Sequence, residues 1–377
     1  MRPSSFEAGA AKKAQGRVLD DGGAFPKGIL KVKRRSKLKT REYQWDNLRF
    51  LLIFMVVFGH LLEISASFAY KEILYQIIYS FHMPAFLFLS GMFAKSNRNK
   101  FFFGMVFPYI VLQTVYISFV RAFIDPETKF QYSTPYWLLW YLFALIVYHA
   151  LIPIYDTSVF REKVFLCVLS FVLALLAGFD SSIGYAWSAS RIITFQLWFL
   201  LGFYFKCDAR LEIFWDKLYL WKKALVGAFL VFGCVICELA LFRCNVKSNM
   251  LYGAVGYESL GYTWFMRLLS MCCAGFVICL LLVIAQSGLK VKIPVITVLG
   301  QNTLPIYAFH GLIVKFLQYQ YPELITTPQR AVLASVVILL LLGNPWIGKA
   351  TNFIFGNWYC RLQPSQRKQL ALRRYRC

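Results

Sequence analysis

Long apolar segments constrain the fold of this chain more than any other feature of its sequence. Several of them approach or exceed the roughly 17–20 residues that a helix needs to cross a bilayer. Of the 377 residues, 59% are hydrophobic and only 16% are charged. In lipid, backbone polar groups must bond to one another, and a helix achieves this within one segment. The sequence therefore predicts an all-α, polytopic membrane protein with no fused soluble domain.

The apolar pattern predicts about ten transmembrane helices. If the N-terminal segment is cytoplasmic, most of the 41 Lys and Arg residues fall in segments on the cytoplasmic side, as is typical of membrane proteins. Both termini are then cytoplasmic, and we expect the protein to lie in the cell membrane. The predicted spans are residues 48–68, 76–94, 101–121, 136–155, 164–180, 192–206, 224–244, 263–285, 296–319 and 330–348.

Three regions follow from this pattern. Residues 1–44 are polar and basic, which predicts a disordered cytoplasmic tail. Residues 45–348 form the predicted ten-helix membrane domain, and residues 349–377 form a second basic cytoplasmic tail. The net charge of +23 comes without a P-loop, zinc-finger spacing or RNA-binding signature. We therefore expect the lipid bilayer as a partner and no nucleic acid, while the oligomeric state stays open.

Four polar residues share one face of the helix predicted for the stretch WDNLRFLLIFMVVFGHLLEI, which begins at Trp45 and contains most of the first span. Arg49 and His60 are eleven residues apart, about three helical turns, so both side chains point the same way, roughly 16 Å apart along the axis. Asp46 and Glu63 lie on the same stripe. Such groups are costly to expose to lipid, and the stripe therefore indicates an interior lined by protein or water.

Three of the four histidines are predicted to lie at a similar depth. Counting about 1.5 Å per residue from the span ends places His60, His82 and His310 in the outer half of the membrane. His149 falls in the inner half, and Arg267 lies near the outer edge. Intramembrane ionisable residues are functional candidates, although a lone histidine also serves helix–helix hydrogen bonding. No metal-ligand spacing accompanies them, so we expect no metal site.

A buried base, a cation towards the cytosol and a polar outer pocket suit acyl transfer from a cytosolic thioester to a hydroxyl group. This reaction needs a base on the hydroxyl and a cation for the phosphates of the donor. The same residues fit a proton-coupled transporter or flippase of a glycan precursor. They also fit a non-catalytic membrane partner of a glycan-assembly complex. A transporter would show paired repeats and interrupted helices, and the sequence shows neither clearly.

Four motifs favour the first of these readings. They are DNLR at 46–49 followed by GH at 59–60, FHMP at 81–84 leading to FLSG at 88–91, PYWLLWYL at 135–142, and LGQNTLPIY at 299–307 with His310. They resemble the acyltransferase-3 family of integral membrane acyltransferases, especially its branch similar to fucose 4-O-acetylase. The resemblance runs through residues 46–348, and ten spans is the usual count of that family. Thr303 stands where the family usually has Ser, and Pro305 stands where Pro is not usual.

The resemblance implies O-acylation, most often O-acetylation, of a glycan or a lipid-linked oligosaccharide. Acetyl-CoA or another acyl-CoA would be the donor substrate, with no bound cofactor. His60 would act as the catalytic base together with Glu63, and Arg49 would position the donor or pair with Asp46. Whether a covalent acyl-enzyme forms stays open. The expected substrate-binding residues are His82, His310, Asp46, Ser90, Trp140, Asn302 and Arg267, and of these His82 and His310 would line the acceptor pocket.

Overall fold

The computed structural model of the chain describes residues 42–66, 68, 70–97, 101–205, 215–258 and 261–356. Across these ranges the chain forms helices and contains no strand, so the all-α prediction is confirmed. Most of the two predicted tails lies outside the described residues. The predicted domain boundaries at 44/45 and 348/349 both fall inside helices.

The helices are named here in chain order. A π-helical turn (Phe102–Val106) leads into α3, and short 3₁₀ turns (Trp137–Leu139 and Ala186–Ser188) precede α4 and α7. The helices are α1 (Tyr43–Ile64), α2 (Lys71–Phe93), α3 (Phe107–Phe123), α4 (Trp140–Ala150), α5 (Ile152–Tyr155), α6 (Phe160–Leu176), α7 (Ala189–Phe205), α8 (Leu220–Arg243), α9 (Ser248–Leu251), α10 (Trp264–Ser287), α11 (Pro294–Gln301), α12 (Thr303–Gln320), α13 (Pro328–Leu342) and α14 (Pro345–Gly356).

Local sequence sets several of the helix ends. The Thr263 side chain accepts a hydrogen bond from the backbone N–H of Met266 at the start of α10, and Thr327 accepts one from Arg330 at the start of α13. These caps satisfy N–H groups that the first helical turn leaves without a partner. Pro294 begins α11, where its missing N–H removes no helical bond.

Five helical segments are long and apolar enough to cross a membrane: α1, α2, residues 102–123, α8 and α10. A sixth arises if α13 and residues 345–355, which are bent by 62° relative to each other, form one span. The other four predicted spans coincide with helices that are shorter, less apolar or broken. The described residues thus form a multi-helix membrane protein, but the predicted count of ten spans is not confirmed. The face of α8 that carries Leu225, Phe229 and Phe232 is exposed, as suits contact with lipid.

The ninth predicted span is interrupted. α11 ends at Gln301 and α12 begins at Thr303, with non-helical backbone at Asn302. The sequence motif placed Pro305 inside a span, but Pro305 lies in the first turn of α12, where it breaks no helical hydrogen bond. The sequence showed no clearly interrupted helices. Within the described residues the structure interrupts this span at Asn302, and it bends by 62° before Pro345, a residue that cannot continue the preceding helix.

The two interruptions contact each other. The Asn302 side-chain amide donates a hydrogen bond of 3.1 Å to the carbonyl of Gly343, the residue that follows α13. A Cβ atom at Gly348 in α14 would collide with the Asn302 side chain. The carbonyl groups that a broken helix leaves without partners are costly in a membrane. Asn302 satisfies one of them.

α2 and α7 approach each other closely, and this contact forms one wall of the site described below. A Cβ atom at Gly91 in α2 would overlap the carbonyl oxygen of Phe199, and one at Gly202 in α7 would overlap the carbonyl oxygen of Phe88. Small residues let two helix backbones meet in this way inside membranes. The FLSG motif therefore contributes a packing surface.

Candidate active site

A cavity of ≈ 460 Å³ lies among α1, α2, α4, α7 and α12. This volume falls within the range of about 300–1,000 Å³ that is typical of small-molecule sites. Most of its lining is apolar or aromatic. Its charged or titratable groups other than tyrosine are His60, Glu63, His82, Arg191 and His310.

His60 lies on α1 one turn before Glu63. Its Nδ1 atom is 3.3 Å from a Glu63 carboxylate oxygen and 3.3 Å from the Tyr79 hydroxyl, which also donates to Glu63 over 3.4 Å. A carboxylate only accepts hydrogen bonds, so the pair favours a proton on Nδ1 of His60. Nε2 of His60 is then an acceptor, and Glu63 would stabilise the imidazolium formed when Nε2 takes a proton.

His310 presents a second imidazole to the same cavity. Its Nδ1 atom lies 2.9 Å from the Ile306 carbonyl oxygen and 3.0 Å from that of Tyr307, so Nδ1 carries the proton. Its Nε2 atom is buried without a hydrogen-bond partner among the described residues. The rings of His310 and His60 are 5.5 Å apart. An orphaned buried acceptor is uncommon, and a substrate hydroxyl in the cavity would satisfy it.

His82 completes the group of three histidines that the sequence placed at one depth. Its Nδ1 atom donates to the Ile78 carbonyl oxygen over 2.7 Å, and its ring packs 4.6 Å from the Tyr79 ring. The backbone bond fixes the ring orientation. The structure thus brings His60, His82 and His310 into one cavity.

Aromatic side chains enclose the histidines. Trp140 lines the cavity, and its ring packs 5.4 Å from that of Phe195. The Trp137 ring lies 4.6 Å from that of His60, and the Lys315 ammonium lies 4.7 Å from the centre of the Trp137 ring. Trp137 has a positive φ of 38°, a conformation that costs energy for a bulky residue. The strained backbone holds Trp137 beside His60.

The DNLR motif holds α1 in place at the end opposite to His60. The Asn47 side chain donates to the carbonyls of Leu289 and Val291, both over 2.9 Å, and accepts from the Thr297 hydroxyl over 2.7 Å. Asp46 accepts from Gln301 over 3.2 Å. These bonds tie α1 to α11 and to the segment before it. The motif therefore has a packing role that the sequence alone did not reveal.

Arg49 lies outside the cavity that holds the histidines. Its guanidinium makes an ion pair of 3.1 Å with Asp46 and lies 4.2 Å from the centre of the Phe93 ring. The predicted ion pair is thus present. The predicted contact of Arg49 with the donor stays a prediction.

Ser90, Arg267, Asp46 and Asn302 also lie outside this cavity. The Ser90 hydroxyl bonds to the Tyr141 hydroxyl over 2.6 Å, and Tyr141 lines the cavity, so Ser90 is one residue removed from it. Arg267 is buried, and its guanidinium donates to the carbonyls of Ala174 (3.1 Å) and Val255 (3.2 Å). Their substrate-binding roles stay predictions.

A second cavity of ≈ 320 Å³ lies at the end of the helices that the sequence assigns to the cytosol. Lys95, Ser96, Asn97 and His149 supply its polar lining. Met105, in the π-helical turn before α3, lines both cavities. The cavity near the predicted cytosolic face and the cavity that holds the histidines thus have Met105 in common.

Sequence reasoning missed four polar residues of the main cavity: Tyr79, Tyr185, Arg191 and Tyr252. Tyr79 lies three residues before His82, a spacing that places both on one helix face, and this signal was available. Arg191 falls at the edge of a predicted span, and Tyr252 in a predicted loop. No local pattern links either residue to His60, because packing of distant segments brings them together.

No group of three or more His, Cys, Asp or Glu residues suited to hold a metal ion occurs in the described part of the chain.

Comparison with known proteins gives one match. A family model described as "Acyltransferase domain" (Acyl_transf_3) matches residues 42–343, a range that includes every helix lining the two cavities. The comparisons with curated proteins and with solved structures found no match.

Proposed function

We propose, from the premise that this chain belongs to the Acyl_transf_3 family and is a membrane acyltransferase, that it moves an acyl group from a cytosolic acyl-CoA to a hydroxyl of a glycan. We take the acyl group to be acetyl, which is small enough for the ≈ 460 Å³ cavity. The observation that carries the proposal is the His60–Glu63 pair, which lies inside a cavity that a substrate hydroxyl can enter.

His60 serves as the general base in this proposal. The acceptor hydroxyl gives its proton to Nε2 of His60 while its oxygen attacks the thioester carbonyl carbon. A C–O bond forms, the C–S bond breaks, and the CoA sulfur leaves and takes up the proton. Glu63 bonds to Nδ1 of His60 and stabilises the cationic imidazole. A positioned base of this kind contributes about 10²–10⁴-fold to a rate.

The donor reaches His60 through the second cavity. Lys95 gives this cavity a positive charge that suits the phosphates of CoA. The thioester passes Met105, the residue shared by both cavities, to reach the histidines. Arg49 contributes through Phe93, on which its guanidinium stacks and which lines the second cavity.

The acceptor occupies the part of the main cavity next to Trp137 and Trp140. Flat aromatic faces suit the apolar faces of sugar rings, and the unpartnered Nε2 of His310 is ready to accept a hydrogen bond from a sugar hydroxyl. His82 lines the same volume. A carbohydrate acceptor, free in a glycan or linked to a lipid, fits this lining.

A second candidate function, proton-coupled transport of a glycan precursor, is favoured by one observation. The helices are interrupted at Asn302 and before Pro345, and interrupted helices near a buried site are a feature of transporters. The two interruptions bond to each other through Asn302 and Gly343, which favours a fixed support over a moving gate.

The test is acyl transfer by the full chain in proteoliposomes. Radiolabelled acetyl-CoA is supplied on one side and a mixture of surface glycans on the other, and label in glycan and release of free CoA are both measured. The native chain is compared with His60→Gln, which keeps the size of the side chain. The comparison requires that the native chain and His60→Gln are both monodisperse and equally abundant.

Label that reaches glycan only when His60 is present supports the proposal. CoA release without glycan label supports the donor half of the reaction and shows that the acceptors are wrong. If well-folded native protein neither releases CoA nor labels any glycan, the acyltransferase proposal fails. Glycan flux driven by a proton gradient is then measured in the same vesicles.

A further inference from the structure

Arg191 lies on the first turn of α7 and lines the main cavity. Its guanidinium stands between two aromatic rings, 5.2 Å from the centre of the Trp140 ring and 5.2 Å from that of Tyr185. Aromatic faces attract the cation and fix its plane. The sequence analysis assigned no role to Arg191.

The charge of Arg191 is not neutralised by its surroundings. Its Nε atom is buried without a hydrogen-bond acceptor, and within the described ranges no carboxylate forms an ion pair with it. Glu63 is the carboxylate that lines the same cavity, and it bonds to His60 and Tyr79. Arg191 is half-buried, and even partial burial of a cation in a membrane protein is costly unless an anion accompanies it. The free protein bears this cost, and an anion in the cavity would remove it.

The backbone around Arg191 is fixed and strained. Trp187 and Ser188 both have positive φ values, of 55° and 51°. The N–H of Trp187 donates to the Ser133 carbonyl oxygen over 2.9 Å, and the Ser190 hydroxyl donates to the Gly253 carbonyl oxygen over 2.7 Å. Strain of this kind persists where the surrounding structure imposes it, and it is enriched at ligand sites. The start of α7, which carries Arg191, is therefore held in place by bonds to distant segments.

We propose that Arg191 binds an anionic group of the acceptor, so that the enzyme acts on an acidic sugar bearing a carboxylate or a phosphate. This inference rests on the proposed function for its assignment to the acceptor. Arg191 adjoins the loop that the sequence places outside, whereas Lys95 and the second cavity lie at the predicted cytosolic end. The acceptor is therefore the substrate whose anion Arg191 meets. A guanidinium pairs well with planar carboxylates and with phosphates.

Binding without donor tests the inference separately from catalysis. The full chain is placed in nanodiscs of neutral lipid, where no anionic headgroup competes. Methyl glucuronide, methyl glucoside and glucose 6-phosphate are titrated, and tryptophan fluorescence is followed because Trp140 lies next to Arg191. The glucoside matches the glucuronide in shape but lacks its charge. The variants are Arg191→Gln, Arg191→Lys and the control Arg121→Gln.

Arg121 is a matched control because it also lies over an aromatic ring, that of Phe130 at 5.3 Å, but is exposed and lines neither cavity. We expect the native chain and Arg121→Gln to bind at least one charged probe about tenfold more tightly than the glucoside, and Arg191→Gln to lose this preference. Arg191→Lys keeps part of it. Preference for glucuronide assigns a carboxylate, and preference for the sugar phosphate assigns a phosphate.

Three results would overturn the inference: no binding or no preference in the native chain, a preference that survives in Arg191→Gln, or equal loss of kcat for acidic and neutral acceptors without change in binding. The last result would mean that Arg191 stabilises the oxyanion of the reaction. If Arg191→Gln does not fold, the preference of Arg191→Lys for a charged probe is measured instead, and the inference requires it to be smaller than that of the native chain. If the chain binds the charged probes selectively but releases no CoA, the proposed function is contradicted, whereas the anion-binding site at Arg191 is supported.

Discussion

The Nδ1 atom of His60 lies 3.3 Å from a carboxylate oxygen of Glu63, one turn further along the same helix. This geometry orients the imidazole and leaves its other nitrogen to accept the proton in the proposed reaction. Glu63→Gln keeps the shape but removes the negative charge that stabilises the protonated ring. We expect kcat for acyl transfer to fall by about 10- to 100-fold, less than for loss of the base itself, with abundance unchanged.

Glu238 provides the matched control for this variant. It is a second carboxylate within the helical bundle, where Ser80 lies 2.5 Å and Cys273 3.2 Å from it, and it lines neither cavity. Glu238→Gln should change kcat by less than about twofold, although its thermal stability can fall because it joins three helices. Equal loss of kcat in both variants would show that any intramembrane carboxylate matters, and would count against a specific role of Glu63.

Met105 is the point at which acyl-CoA would pass from one cavity to the other. Met105→Trp fills this point with a larger, rigid side chain. We expect transfer and CoA release to fall by at least about tenfold, while binding of an acceptor to the outer part of the cavity is unchanged. Radiolabelled acetyl-CoA and tryptophan fluorescence measure the two properties separately.

Ile110→Trp is the control for Met105→Trp, since Ile110 is 46% exposed on the same helical segment and lines neither cavity. It should transfer acetyl at the native rate. Native activity of Met105→Trp would exclude the route from the second cavity.

Arg49 is expected to act on the donor through Phe93. Arg49→Met removes the charge but retains an apolar contact with that ring. We expect KM for acetyl-CoA to rise by about tenfold, with little change in KM for the acceptor. The control is Lys290→Met, which removes a cation from an ion pair of 3.1 Å with Asp216, a pair that lines neither cavity. A fall in abundance of Arg49→Met with native KM would assign Arg49 to stability.

Gly202 tests the close contact of α2 and α7. A Cβ atom there would overlap the carbonyl oxygen of Phe88, so Gly202→Ala forces the helices apart. We expect a loss of about 1–3 kcal/mol in stability, together with lower activity, because this contact shapes one wall of the cavity. Thermal unfolding in detergent measures it. Gly227→Ala in α8 is the control, since no atom lies within 4 Å of the added methyl group, and its melting temperature should not fall.

The interruption at Asn302 is a feature that could not be predicted from the sequence. The motif LGQNTLPIY pointed to Pro305 as the source of a kink. Pro305 instead lies in the first turn of α12, and Asn302 breaks the span and bonds to Gly343. The partner is more than forty residues away in sequence, and no local pattern identifies it. The same holds for Arg267, whose guanidinium donates to the carbonyl of Ala174, 93 residues away, as well as to that of Val255 nearby.

The sequence by itself determined the all-α membrane class and the single face of α1 that carries Arg49, His60 and Glu63. The length of an apolar segment and its helical periodicity are properties of the local sequence. They do not depend on contacts between distant segments. The sequence predicted a common depth for His60, His82 and His310, but tertiary structure alone decided that they share one cavity with Trp137 and Arg191, and that Asn302 and Arg267 lie outside it. Contacts between helices depend on close approach at small residues such as Gly91 and Gly202 and on bonds to interrupted backbone. Lipid-facing and protein-facing apolar residues look alike in a sequence, so these choices become visible only in the packed molecule.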